Sequence, residues 1–150
     1  MRTKIAAIVL TMVALAAVAT SGTSGQSEFR YALIQRSCAP WDGAAIEMTL
    51  TKERATCQRR PAPYIEMGVW KGLPIQPGQV VKFAAISDVG FASRCEREND
   101  CVRAESGEIT FDTYKDGVGA SGSYVLHFKG GETVSGSFDA KWCEMRVMCG

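Results

Sequence analysis

Six cysteines, Cys38, Cys57, Cys95, Cys101, Cys143 and Cys149, all lie downstream of an N-terminal apolar run, and six cross-linkable positions restrict the folds open to a chain of 150 residues. Disulfides persist in oxidising compartments, and the N-terminus supplies the route to one. Arg2 and Lys4 make a short basic start, Ile5 to Val18 is almost unbroken apolar sequence, and Ala17-Val18-Ala19 fits the small-x-small rule for cleavage before Thr20. The run is about 14 residues, short of the ~20 that a membrane-spanning helix needs. No cysteine follows it where a lipoprotein would be acylated. Residues 1–19 therefore read as a signal peptide that leaves no membrane anchor after cleavage, and the product as secreted or periplasmic.

Of 17 Lys plus Arg, Arg2 and Lys4 leave with that peptide; 17 minus 2 is 15, against 16 Asp plus Glu, for a net charge of about −1. Nucleic acid is excluded as a partner on this balance, because phosphate binding needs a concentrated basic face. The one basic cluster, Lys52, Arg54, Arg59 and Arg60, is interrupted by Glu53 and runs into Pro61 and Pro63, as a solvated connection does. Thr20 to Ser27 is small-residue sequence and reads as a disordered spacer; 28–150 reads as a single β domain, long enough for a real core.

Alternation rather than helical period runs through that domain. Phe29, Tyr31 and Leu33 alternate with Arg30 and Ala32; Ile46, Met48 and Leu50 with Glu47, Thr49 and Thr51; Ile65, Met67 and Val69 with Glu66 and Gly68. Each predicts a half-buried strand. Asp42 is a candidate cap for a helix over 44–54, but the threonines at 49, 51 and 56 favour strand. Pro74, Pro77 and Gly78 mark a loop, followed by a strand over Val80 to Ile86.

Downstream, Glu108 to Tyr114, Ser123 to Lys129 and Thr133 to Cys143 predict a three-strand meander. Opposed residues of an antiparallel pair share a face, so register is a question of parity. A two-residue turn at Gly130-Gly131 would set Phe128 against Thr133 and Leu126 against Ser135. A three-residue turn, Gly130-Gly131-Glu132, sets Phe128 against Val134 and Tyr124 against Phe138, and is the one predicted, with a left-handed glycine. The same parity makes the turn around Asp116 to Gly119 even in length. About six to eight antiparallel strands without a helix point to an all-β fold, a β-sandwich or small closed barrel stapled by disulfides.

Zinc sites favour cysteine pairs two to four residues apart, with His in support; here the close pairs have five residues between them and the chain has one His. Disulfides are the better reading, with no metal and no cofactor. Cys95 with Cys101 closes a polar loop, and sequence proximity favours Cys38 with Cys57 and Cys143 with Cys149. The rival arrangement ties Cys38 and Cys57 to the C-terminal pair.

No catalytic constellation stands out. Ser135 or Ser137, His127 and Asp139 would share a solvated strand face where nothing excludes water or builds an oxyanion hole. Glu96, Glu98 and Asp100 alternate in the Cys95–Cys101 loop without the glycine-centred spacing of a calcium site. Two features point to recognition. Trp41, in Cys38-Ala-Pro-Trp-Asp-Gly, and Trp70, before Lys71-Gly72, fall near loops, where aromatics serve as binding platforms or pack as lids. Arg97 lies inside the Cys95–Cys101 loop, as a basic residue does in a substrate-mimicking protease inhibitor.

The segments Cys38-Ala-Pro-Trp-Asp-Gly, Ala120-Ser-Gly-Ser-Tyr-Val-Leu-His-Phe and Gly136-Ser-Phe-Asp-Ala-Lys-Trp-Cys, with the terminal Cys149-Gly150, resemble those of uncharacterised exported bacterial proteins. That resemblance implies bacterial export and a β-rich domain with several disulfides, and brings no activity and no site residues. The expectation is a non-catalytic binding module for a protein, a glycan or a small apolar ligand. The alternatives are a protease inhibitor acting through Arg97 and a secreted hydrolase.

Overall fold

In the computed structural model, residues 28–149 are described; the expected signal peptide and spacer lie outside them. Nine strands and no helix make up the described chain: β1 (Tyr31–Cys38), β2 (Ala44–Thr51), β3 (Tyr64–Val69), β4 (Val80–Ala84), β5 (Gly90–Arg97), β6 (Asp100–Arg103), β7 (Ser106–Lys115), β8 (Gly119–His127) and β9 (Thr133–Cys143). They form one sheet in the order β4-β7-β8-β9-β1-β2-β3-β5-β6. Eight ladders join them, all antiparallel except β1 with β9, which is parallel. The expectation holds at the level of class: all-β. In place of two face-packed sheets or a closed ring, a single mixed sheet curls into a half-barrel whose edges are β4 and β6, and one apolar core fills its concave side.

The sequence pattern explains which side chains fill that core. Ile46, Met48 and Leu50 of β2 and Ile65, Met67 and Val69 of β3 point inward, as alternation requires. In β1 the phase is opposite to the expected one: Ala32 and Ile34 are buried, whereas Tyr31 is 40% exposed. Phe29 is buried too, but it precedes the strand, so its phase does not carry into β1. The β5–β6 hairpin was not expected as strand at all, because its sequence from Cys95 to Cys101 is polar.

In the meander, the predicted face is right and the predicted lengths are not. Leu126 opposes Val134, Tyr124 opposes Gly136 and His127 opposes Thr133, so the turn is a five-residue loop, 128–132. Adding two residues to the expected three preserves parity, and Tyr124, Leu126 and Phe138 are all buried. Gly130 and Gly131 take φ of 85° and 82°, the left-handed region that glycine tolerates. The β7–β8 connection breaks the parity rule: Lys115 opposes Gly119, a three-residue turn, because a bulge between Phe111 and Thr113 shifts the register. The extra residue turns Tyr114, not Thr113, toward the core, where its ring meets Phe111 and Trp142.

Cys95 and Cys101 are bridged as expected, across a directly opposed pair of β5 and β6. The other two bridges are Cys38–Cys149 and Cys57–Cys143, so the neighbour pairing is corrected to its rival. The reason is the parallel ladder: it sets Gln35 beside Cys143 and carries the tail 144–149 past the end of β1. Segment 52–63 crosses the convex face and delivers Cys57 to Cys143. No described cysteine is free, and three bridges suit an oxidising environment.

Candidate recognition site

One end of the sheet gathers three aromatic residues from three places in the chain. Trp41 sits on the β1–β2 turn, shaped by Ala39 N–H to Gly43 O at 2.8 Å, Asp42 N–H to Ala39 O at 2.9 Å and a left-handed Asp42. Trp70 follows β3 and donates its backbone N–H to Val89 O at 2.7 Å. Phe91 is the second residue of β5, opposite Gly68 on the convex face. Trp41 meets Trp70 edge-on at 6.0 Å between centroids, and Trp70 meets Phe91 at 5.4 Å. Sequence reading singled out the two tryptophans; the fold brings them into contact and adds Phe91.

The close approach of Phe91 depends on Gly68, since a Cβ there would lie 2.2 Å from the Phe91 ring. Two cations complete the cluster. Arg103 lies over both Phe91 and Trp70, at 5.2 and 5.9 Å from the ring centres, and Lys71 over Trp41 at 5.8 Å. Such contacts contribute about 0.5–1 kcal/mol at exposed sites. Arg103 has no carboxylate partner among the described residues. No sequence signal linked it to Trp70, because the two meet only through the β3–β5–β6 ladders.

Beside this corner an open groove of about 660 Å³ runs past Pro40, Trp41, Trp70, Phe83 and Ile86. Ile86 is 98% exposed and Trp41 49%. At its margin Lys71 pairs with Asp88, and Lys82 with Glu108 at 3.0 Å. The Lys71 hydrogen bond and charge hold the Asp88 carboxyl below its usual range.

The remaining candidates do not join this site. Arg97 is exposed near the tip of the β5–β6 hairpin, opposite Asp100; six residues from Phe91 at ~3.3 Å each put it roughly 20 Å away. His127 is exposed, with Nδ1 3.1 Å from Thr133 Oγ1. It opposes Thr133, while Ser135 faces Val125 and Ser137 faces Ser123, so neither serine stands directly across from it. Among the described residues no three His, Cys, Asp or Glu side chains cluster to hold a metal ion, so Glu96, Glu98 and Asp100 form no such group.

A polar cluster on the convex face went unnoticed in the sequence. Arg60 bridges Glu47 and Glu66 at 3.0 Å each, and Gln35 donates to Glu47 at 3.4 Å. Burial, then the neighbouring Glu66 carboxylate, pushes the Glu47 carboxyl up, against the pull of Arg60. The four residues come from three strands, β1, β2 and β3, and the crossing segment, and the sequence shows Arg60 only as part of a basic run.

No protein-family model, curated protein or solved structure matches the chain.

Proposed function

We propose that this chain is an exported, non-catalytic recognition module that binds a protein partner through the Trp41–Trp70–Phe91 corner and the groove beside it. The observation that carries this reading is the make-up of the corner: Trp41 packs on Trp70 and Trp70 on Phe91, and Arg103, without a carboxylate partner among the described residues, lies over the last two rings. Protein interfaces concentrate Trp, Phe and Arg at their centres and charge at their rims, and here Lys71–Asp88 and Lys82–Glu108 border the aromatic patch. A glycan is read by several polar groups converging on it. Here Lys82 and Asp88 of the groove are engaged in ion pairs and Ser87 Oγ accepts from the Val89 N–H, which leaves ring surface and Arg103 as the contacts. Carriage of a small apolar ligand within a closed barrel has less support, since the sheet is open between β4 and β6 and its core fills the concave side except at the mouth. A secreted or periplasmic location rests on the expected signal peptide together with the three bridges, and a bacterial source on the sequence resemblance.

Arg97 as an inhibitory residue has weaker support. It ends a strand beside a tight tip, Glu98–Asn99, rather than lying within a run of extended chain that a protease cleft would hold.

A photo-crosslinking amino acid placed at Ile86, with Val118 as the control position, tests the main reading in the secreting cell. A discrete protein adduct is expected from position 86 and not from 118. Trp41→Ala should weaken purified partner binding about tenfold or more, as for an interface hot spot. Equal adducts from both positions, or unchanged affinity in a folded Trp41→Ala protein, would overturn it.

A further inference from the structure

The mouth of the half-barrel holds a second pocket, of about 470 Å³, at the same sheet end but opening to the concave side. Its size falls among small-molecule sites, ~300–1,000 Å³. Arg36 opposes Ile46 and Cys38 opposes Ala44 across β1 and β2, so these side chains share the concave face. Leu73 and Pro74 close one side, and the tail contributes Val147, anchored by Cys38–Cys149. Those groups make an aliphatic lining with one polar end.

At that end, Arg36 donates from Nε and Nη2 to the two carboxylate oxygens of Asp116, the Nε bond at 3.4 Å. The Tyr114 hydroxyl donates to the same carboxylate at 3.5 Å. Asp116 is thus already occupied by two donor groups and gives a ligand cation little purchase. A guanidinium carries five N–H donors and no acceptor, so Arg36 retains three after its bonds to Asp116. The polar end therefore has three spare donors, with the Glu144 carboxylate acting on Arg36 less strongly than Asp116 does, and a monoanion can take those donors without breaking the existing ion pair.

We infer that this mouth binds short aliphatic monocarboxylates, with the hydrocarbon against Ala44, Ile46, Leu73 and Pro74 and the carboxylate on the free donors of Arg36. The site is separate from the aromatic corner and does not depend on a protein partner there.

Octanoate is the probe, titrated by calorimetry and by NMR into the oxidised protein, with octylammonium as the sign-reversed control. Saturable one-to-one binding of octanoate is expected, with shifts at Ile46 and Leu73 and affinity at least about tenfold above that of octylammonium. Arg36→Gln should erase this preference while leaving weak binding of both. Ala44→Phe, at an exposed position facing the mouth, should abolish binding of either without unfolding the domain. Absence of saturation, equal binding of the two probes by the unsubstituted protein, or full binding by Ala44→Phe would overturn the inference.

Discussion

The meander β7–β8–β9 and the strands β1–β2–β3 belong to one sheet, yet they present their outer faces differently. In β8 buried and exposed residues alternate from Gly122 to His127. In β2 six of eight residues are buried, and Thr49 and Thr51 on the convex side are 5% and 0% exposed. The difference is segment 52–63, which Cys57–Cys143 and Arg60 hold against the convex face of β1–β3. Period-two alternation reports the solvent on one face; once a loop covers that face, the same pattern conceals a second buried layer.

The sharpest way to break this comparison is to place a charge on each face of each region. Leu126→Asp should destabilise by about 3–5 kcal/mol and Val125→Asp, 39% exposed, by about 0.5 kcal/mol or less. In β2, Met48→Asp and Thr49→Asp should both cost more than about 2 kcal/mol, because neither side opens to water. Chemical denaturation of the four variants checks this; a mild Thr49→Asp would show that segment 52–63 does not seal the convex face.

Removing the strap is next in size. Cys57→Ser with Cys143→Ser opens a loop with a sequence separation of 86, for an expected loss of about 2–4 kcal/mol. Hydrogen exchange should rise at Thr49 and Thr51 and stay low at Tyr124 and Leu126. A uniform rise across both regions would mean that the bridge supports the whole sheet rather than its covered half.

Smallest is a pH effect confined to the covered face. Because burial raises the Glu47 carboxyl above its ordinary value of 4.5, the folded state binds its proton more tightly than the unfolded chain. That contribution is fully present below pH 4.5 and is lost as pH rises through the raised value. Glu47→Gln removes the dependence, so its stability relative to the unsubstituted protein should improve as pH rises above 4.5. Unfolding midpoints at several pH values from 4 to 7 measure it; a flat difference would show that Arg60 cancels burial, and a falling one that it outweighs burial.

What was legible in the sequence followed from local rules. Alternation identified β2, β3 and the meander, and parity placed Tyr124 and Leu126 inward even though the turn was two residues longer than expected, because only an odd change inverts a face. The Cys95–Cys101 bridge was legible because a short polar span lies between its ends. Trp41 and Trp70 stood out as large aromatics near loops.

Non-local pairing decided the rest. The bulge in β7 inserted one residue and sent Tyr114 inward, which no alternation rule marks in advance. A parallel ladder between β1 and β9, the first and last strands, set Cys38 beside the C-terminal tail and overturned the neighbour pairing of cysteines. Trp41, Trp70, Phe91 and Arg103 become one site only because β1, β3 and β6 end, and β2 and β5 begin, at the same end of the sheet. Sequence by itself determined which residues seek the core and which segments extend, since those depend on neighbours one or two positions away. Which distant residues meet depends on strand order, and strand order is chosen by the packing of the whole sheet around one core.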